Sequence, residues 1–318
     1  MLVYRAALFG LRLLSPVLSI GESKLARGVA GRRHAHELLV AWGSTLRDPD
    51  RPLVWFHAPS VGEGLRADAV IRALRGLDPD VQIVFTFFSP SAEEWARSFD
   101  ADVATYLPWD LGGPMRAALD ALRPDLVAFT KTEVWPVLAE LCGERDIPTA
   151  LIGASVPPDA GRRKKGARAL LGPAWQGMHL AAAIGERDVD GLLSLGVEEP
   201  RVVTTGDPGI DAAVARFEER DVREPAVELL RSSRPTWIAG STWPSDERVI
   251  LPAFERVRAR VVDARLLVVP HEPTPDRAAN TLAGAKARGW SIGLLSEIAT
   301  SGVGRDSDVI VVDRVGLL

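Results

Sequence analysis

The stretch from residue 53 to residue 75, LVWFHAPSVGEGLRADAVIRALR, constrains the fold of this chain more than any other. It opens with a short apolar run, Leu53 to Phe56, which is typical of a buried parallel strand. After a turn that contains glycine, apolar residues recur at the spacing of an amphipathic helix, with one face exposed to solvent. The sequence therefore predicts a strand, a turn and a helix. Open α/β sheets bind their ligands where such strands end and helices begin.

Glu63 lies in that turn, between Gly62 and Gly64. Free backbone N–H groups at the start of a helix attract anions, and glycines let a substrate come close. In one interpretation, Glu63 is a first-turn acid that complements the helix dipole. In the other, it is a general base presented from a rigid junction. The pattern alone leaves both open.

Strands and helices alternate from Leu53 onward, and the alternation begins again at Thr236. This rhythm predicts parallel strands with helical crossovers, and hence an α/β fold of doubly wound sheets. The predicted strands are 53–56, 81–87, 103–107, 126–130, 149–152, 180–184, 202–205, 236–239, 265–269, 290–294 and 309–312. The predicted helices include 111–122, 134–145, 187–195, 210–222, 246–262 and 275–288. The domain boundary is expected near residues 223–234.

Composition narrows the function classes. A length of 318 residues suggests about two domains, and a net charge of -4 gives no reason to expect a nucleic-acid partner. The single cysteine, Cys142, excludes an intramolecular disulfide and is interpreted as a small core residue. No CxxC or HExxH pattern occurs, so no metal site is predicted.

The first twenty residues are apolar but interrupted by Arg5, Arg12 and Pro16. A membrane span needs about 20 apolar residues with few charges, which this segment does not supply. One interpretation is a helix that lies in the cytoplasmic face of a bilayer, with basic residues following it. The other is an amphipathic helix docked on the protein's own body.

A basic cluster, residues 162–165 (RRKK), follows a proline pair. Such a run is usually a solvated loop. The alternative is contact with lipid phosphates.

Six short motifs resemble, in order, those of the 3-deoxy-D-manno-octulosonic acid (Kdo) transferases. They are HAPSVGE (57–63), KTEVWP (131–136), TGD with a later aspartate (205–211), the pair Ser241-Thr242, VPHEP (269–273) and VVDRVGL (311–317). The family's forms are HA-x-SVGE, ETELWP, TGN-x-K-x-D, ST-x-x-x-E, PRHPER and D-x-x-GEL. The resemblance runs from the first residues to the last.

The resemblance implies a GT-B-like architecture of two Rossmann-like domains, and transfer of Kdo from CMP-Kdo to a lipid A precursor (lipid IVA) without a cofactor. It implies a place at the cytoplasmic side of the cell inner membrane, peripheral or with a single N-terminal anchor. It also favours the interpretation of residues 1–20 as a helix that lies in the cytoplasmic face of a bilayer. We expect a membrane-associated helical segment (1–40), an acceptor-side domain (41–222) and a partial nucleotide-sugar-binding domain (223–318).

The resemblance also implies roles for single residues. The expected catalytic residues are Glu63, which matches the family's base, and Glu133, which matches the second glutamate of ETELWP. Expected substrate contacts are Ser60, Gly62, Lys131, Ser241, Thr242, His271 and Arg277. Three of these assignments have a structural alternative. Glu133 is expected to open the helix 134–145 as a cap, and Ser241 and Thr242 to begin a helix, where they either donate to phosphate or cap it.

The sequence departs from the family at several charged positions. Lys131 replaces a glutamate, Gly209 and Ile210 fill the region of a lysine, His271 replaces an arginine and Leu317 a glutamate. Residues 153–155 (GAS) replace the family's NARLS, and the chain ends before its glycine-rich turn and NPLEPA-like segment. We therefore expect an incomplete second domain. The alternatives to a Kdo transferase are an inactive or regulatory binding module and a nucleotide-sugar enzyme of another GT-B type, such as an epimerase.

Overall fold

The protein divides into two compact units, residues 1–218 and 219–318. The computed structural model describes residues 1–21, 23–97, 99–219, 225–314 and 317. The start of the expected boundary segment, residue 223, and the motif residues Val315 and Gly316 lie outside the described residues.

The first unit is built on a seven-stranded sheet in which every neighbouring pair is parallel. Its strands are β1 Leu53–His57, β2 Gln82–Phe87, β3 Val103–Tyr106, β4 Leu126–Thr130, β5 Thr149–Ala154, β6 Leu180–Ala183 and β7 Val202–Thr204. Their order is β3-β2-β1-β4-β5-β6-β7. The strand order therefore reverses between β1 and β4, and open α/β sheets bind ligands at such a switch point.

Helices connect these strands and precede them. They are α1 Leu2–Leu18, α2 Lys24–Thr45, α3 Val61–Leu77, α4 Glu93–Arg97, α5 Gly112–Leu122, α6 Pro136–Gly143, α7 Lys165–Gln176, α8 Glu186–Leu195 and α9 Pro208–Glu219. The predicted start of the helix 134–145 was wrong, because α6 begins at Pro136. Proline is favoured there, since the first N–H of a helix has no partner within it.

Apolar side chains cover both faces of the first sheet. Trp55 and Phe129 belong to the larger cluster on one face, whereas Phe56 and Phe85 belong to the cluster on the other. All five residues of β1 are buried. The first four residues of β1 are therefore all apolar, because alternation occurs only where one face meets water, and the polar His57 comes at its end.

Helix α1 is both docked on the body and exposed. The Tyr4 hydroxyl donates to Asp110 at 2.9 Å, and Arg5 donates to Glu140 at 2.7 Å. Along its other side, apolar side chains such as Leu13 and Val17 are about two-thirds exposed (65% and 67%). The docked side of the helix agrees with the second interpretation of residues 1–20, whereas its exposed apolar side leaves the first interpretation a prediction. Within the described residues, no helix has the length and apolar content to cross a membrane.

The second unit holds a four-stranded parallel sheet. Its strands are β8 Thr236–Thr242, β9 Arg265–Pro270, β10 Ile292–Leu294 and β11 Val309–Val311, in the order β10-β11-β9-β8. Its helices are α10 Pro225–Leu229, α11 Pro244–Arg258, α12 Pro275–Lys286 and α13 Leu295–Ser301. The prediction that Ser241 and Thr242 begin a helix was wrong. They end β8, and α11 begins two residues later at Pro244.

Candidate active site

The candidate site of the first unit forms where β1 ends and α3 begins. Ser60 precedes α3, and Glu63 lies in its first turn. The Ser60 hydroxyl donates to one Glu63 carboxylate oxygen, and Lys131 Nζ lies 3.0 Å from the other. The sheet order makes this contact, because Lys131 directly follows β4, the neighbour of β1.

These partners hold Glu63 ionised. Burial alone would raise the pKa of this carboxyl, but the Ser60 hydroxyl, the Lys131 ammonium and the backbone N–H of Glu63 itself outweigh it, and the pKa lies below its usual value. The carboxylate is 17% exposed, against 37% for the lysine side chain. An ionised carboxylate therefore lies at the sheet's switch point with one side open to solvent.

Lys131 has a strained backbone at this position. Its φ is +57°, which is uncommon for a residue with a side chain. Its N–H donates to the Ile152 carbonyl at 2.8 Å, which ties it to the end of β5. The residue that reverses the family's charge is thus fixed by two neighbouring strands, with its ammonium on Glu63.

Glu133 has a different partner from Glu63. It lies in the turn before α6 and accepts from the Arg162 guanidinium. The expectation that Glu133 caps a helix was wrong, because α6 begins three residues later. Arg162 is only 30% exposed, so this member of the basic cluster is tied to the body.

Sequence reasoning missed an ion pair beside the site. Arg66 of α3 donates to Asp207 at 2.9 Å, and the same aspartate accepts from the Gly209 N–H at 2.8 Å. The bridge joins the TGD motif to the helix of Glu63. A groove of about 590 Å³ runs here, lined by Gly62, Arg66 and Asp207 and by the apolar side of α9. A salt-bridge partner 141 positions away leaves no signal in a single sequence.

His57, the first residue of HAPSVGE, is buried and has a partner at each ring nitrogen. Its Nε2 accepts from the Trp135 indole N–H at 2.7 Å, and its Nδ1 lies 3.1 Å from the Thr86 hydroxyl. Burial lowers the pKa of His57 to about 3, so the ring is neutral near pH 7. The first and second motifs are therefore joined by a hydrogen bond between neutral rings, which the spacing of the motifs did not reveal.

The second unit gathers a separate polar cluster at the ends of β8 and β9. The Ser241 hydroxyl and His271 Nδ1 are 2.8 Å apart, and the Trp243 ring stacks on His271 with 4.6 Å between centroids. Ser241 has a φ of +57°. These groups are exposed at the carboxyl edge of the sheet, where a ligand can reach them.

Beside them lies a buried carboxylate, Glu247. It accepts from Arg277 at 2.6 Å, from Thr281 at 2.7 Å and from Thr242 at 3.0 Å. Thr242 thus uses its hydroxyl inside the fold, and α11 has Asp246 accepting from the Trp243 N–H in place of a Ser241 or Thr242 cap. Of the expected contacts in this unit, Ser241 and His271 face solvent.

The structure therefore brings Ser60, Glu63 and Lys131 together, and it pairs Glu133 with Arg162.

Within the part of the chain that is described, histidine, cysteine and carboxylate side chains form no group of three or more that would hold a metal ion. Cys142 is buried in the core, and burial raises the pKa of its thiol to about 12.

Comparison with known proteins identifies a family. Residues 21–212 match the family described as 3-Deoxy-D-manno-octulosonic-acid transferase (kdotransferase). A 3-deoxy-D-manno-octulosonic acid transferase of Haemophilus influenzae is 28% identical over 222 residues, 69% of this chain and 52% of the relative. The enzyme of that name from Rickettsia felis is 24% identical over 84% of this chain and 56% of its own. The chain thus spans little more than half the length of these relatives.

Among solved structures, similar folds occur in UDP-GlcNAc 2-epimerases. The enzyme from Neisseria meningitidis, bound to UDP-GlcNAc, has a TM-score of 0.59 at 14% identity, with 83% of this chain and 72% of the other covered. That of Methanocaldococcus jannaschii also has a TM-score of 0.59 at 14% identity, with 84% and 74% covered. At this identity the likeness concerns the fold alone, and it confirms the predicted GT-B-like α/β class.

Proposed function

Because this chain belongs to the 3-deoxy-D-manno-octulosonic acid (Kdo) transferase family, we propose that it acts in the transfer of Kdo from CMP-Kdo to a lipid A precursor such as lipid IVA, in lipopolysaccharide synthesis. The observation that carries the proposal is the Glu63 carboxylate, held ionised at the switch point of the first sheet by Ser60 and Lys131.

Glu63 is the proposed general base. In the transfer, an acceptor hydroxyl oxygen forms a bond to the anomeric carbon of Kdo while the bond from that carbon to the CMP phosphate oxygen breaks. The hydroxyl proton passes to Glu63. The low pKa keeps the base ionised near neutral pH, and the contacts to Ser60 and Lys131 fix the direction of its carboxylate.

Ser241 and His271 are the residues of the second unit that we propose contact CMP-Kdo. A serine hydroxyl and an imidazole N–H both donate hydrogen bonds, and a departing phosphate needs such donors. Arg277 is proposed to act through Glu247, since its guanidinium is bonded to that buried carboxylate. Glu133, in the segment before α6, remains a proposed catalytic residue. Gly62, at the wall of the groove, remains a proposed substrate contact.

Helix α1 supports a place at the cytoplasmic face of the inner membrane. Its exposed leucines and valines, with Arg12 on the same helix, form the apolar and basic surface of an interfacial helix. The lipid acceptor of the proposed reaction would be reached from that surface.

One observation favours the alternative of a binding module. Lys131 pairs with the carboxylate that would act as the base, at a position where the family has a glutamate. In a module of this kind the fold and the ligand contacts persist without turnover.

A transfer assay separates the two functions. The chain is incubated with CMP-Kdo and lipid IVA, and the product is followed by mass spectrometry, with Glu63→Gln as the matched variant. Addition of Kdo by the wild type and its loss in the variant are expected. Binding of lipid IVA by both proteins without any Kdo addition would support the binding module and contradict the proposal.

A further inference from the structure

A cavity of about 400 Å³ lies beneath α1, and neither Glu63 nor Lys131 lines it. It is bounded by α1, α2 and the loops that follow β2 and β3. Its lining is mostly apolar, from Leu8, Leu11, Val29, Phe88 and Trp109. The volume falls within the range of small-molecule sites, about 300–1,000 Å³.

A buried cation lines this cavity. Arg32 is 8% exposed, and its guanidinium lies 3.6 Å above the centre of the Phe88 ring. It donates to the Gly28 and Phe88 carbonyls, and within the described residues it forms no ion pair with a carboxylate. Burial lowers its pKa to about 10, so it remains charged near pH 7. Buried charges are normally paired, and this one has only neutral acceptors.

A second donor in the same lining has no acceptor. Trp109 is 5% exposed, and its indole N–H has no hydrogen-bond partner in the described part of the chain. Buried donors are almost always satisfied, so each exception calls for an explanation. Asp110 also lines the cavity, but its oxygens accept from Tyr4 and from the N–H groups of Val137 and Leu138.

The cavity shares a wall with the turn of Glu63. The N–H groups of Phe88 and Ser89 donate to the Pro59 carbonyl at 3.1 and 2.7 Å, and Pro59 directly precedes Ser60. Trp135 lines the cavity as well and is bonded to His57. A ligand in the cavity would therefore lie against the segment that carries the candidate base.

We propose that this cavity receives one acyl chain of the acceptor lipid, with an oxygen of the chain's polar attachment accepting from Arg32 and Trp109. The apolar lining suits methylenes, and the two donors suit an ester, amide or phosphate oxygen. The inference rests on the proposed function for the identity of the lipid. The site itself stands on the cavity, the unpaired cation and the unsatisfied indole.

Binding is tested first by calorimetry on the full chain with dodecyl phosphate. Inorganic phosphate and dodecyl maltoside serve as probes that lack the chain or the charge. Leu11→Trp fills the cavity from α1, whereas Leu13→Trp places the same ring on an exposed side of that helix and is the matched control. Arg32→Met and Trp109→Phe remove the donors and keep most of the packing.

One dodecyl phosphate per chain is expected, with inorganic phosphate and dodecyl maltoside much weaker. Leu11→Trp should weaken binding at least about tenfold, because the larger side chain fills the cavity. Arg32→Met should weaken it as much, because a hydrogen bond to a charged group contributes that much or more. Leu13→Trp should leave the affinity unchanged. Melting curves show that each variant is folded. Equal affinity in all variants, or uptake of many molecules per chain, would overturn the site.

Competition identifies the occupant. Lipid IVA should displace dodecyl phosphate, and vesicles of phosphatidylglycerol should not. Displacement by the vesicles alone would show that a membrane lipid occupies the cavity and would refute the acceptor assignment. Binding with these properties but no Kdo transfer would contradict the proposed function and leave the site intact. Equal transfer to acylated and deacylated acceptors would refute the site and leave the function intact.

Discussion

Replacing Glu63 by glutamine separates a general base from a helix-end acid. The change keeps the size of the side chain and removes its charge. If Glu63 is the base, turnover should fall by about 100- to 10,000-fold, which is the usual contribution of general acid–base catalysis. Binding of CMP-Kdo should change little, because the base does not hold the donor.

The structure also sets the expected loss of stability. At the 3.0 Å separation of Lys131 Nζ and Glu63 Oε1, Coulomb's law gives about 1.4 kcal/mol in a medium like water. The lysine is 37% exposed, so screening and side-chain entropy reduce the net contribution to about 1 kcal/mol or less. The hydrogen bond from Ser60 weakens when its acceptor becomes neutral, by about another 1 kcal/mol at most. The free energy of unfolding should therefore fall by about 2 kcal/mol at most.

Glu186→Gln is the matched control, since Glu186 is an exposed acid in the first turn of α8 in the same unit. It should cost under about 1 kcal/mol and leave turnover unchanged. Transfer is measured by mass spectrometry and stability by urea unfolding. A Glu63→Gln protein with normal transfer and only a lower unfolding free energy would refute the base and leave Glu63 as a helix-end acid.

Four further predictions concern other contacts. Lys131→Met should raise the pKa of Glu63 in the folded protein. In the wild type, the stabilisation from the depressed pKa of Glu63 is present above the usual pKa of about 4.5 and is lost as the pH falls through the pKa of the folded state. Acid unfolding should therefore begin at a higher pH in the variant. Trp135→Phe leaves the buried His57 Nε2 without its donor and should lower the free energy of unfolding in urea by about 1–3 kcal/mol, whereas a loss near zero would show that this hydrogen bond does not stabilise the fold. Gly43→Ala places a methyl 2.8 Å from the Ala121 carbonyl and should cost about 1–3 kcal/mol, whereas Gly76→Ala, with nothing within 4 Å, should stabilise its helix; equal melting temperatures would contradict this packing. Removal of residues 1–20 should weaken binding to anionic vesicles in flotation assays, and equal binding by the shortened and intact chains would show that α1 serves only the fold.

The strand, turn and helix around Glu63 could be predicted from local sequence. The apolar run of β1 and the spacing of α3 each depend on residues within a few positions of one another. Errors arose where a helix start depended on a single backbone feature. Helix α6 begins at Pro136, two residues later than predicted, and α11 begins at Pro244, two residues earlier than predicted, while Ser241 and Thr242 belong to β8. Whether an apolar segment continues as a strand is decided by pairing with its neighbour, which the local pattern does not contain.

The motifs likewise identified the family, and the alternation of strands and helices predicted the α/β class, because both are patterns within short stretches of the sequence. The partners of the site residues were decided by the tertiary structure alone. Lys131 reaches Glu63 because β4 lies beside β1, Arg66 reaches Asp207 across 141 positions, and His57 meets Trp135 at the same edge. The physical reason is that periodicity reports which face of an element is buried, whereas the partner of a charge is set by strand order and packing between distant segments.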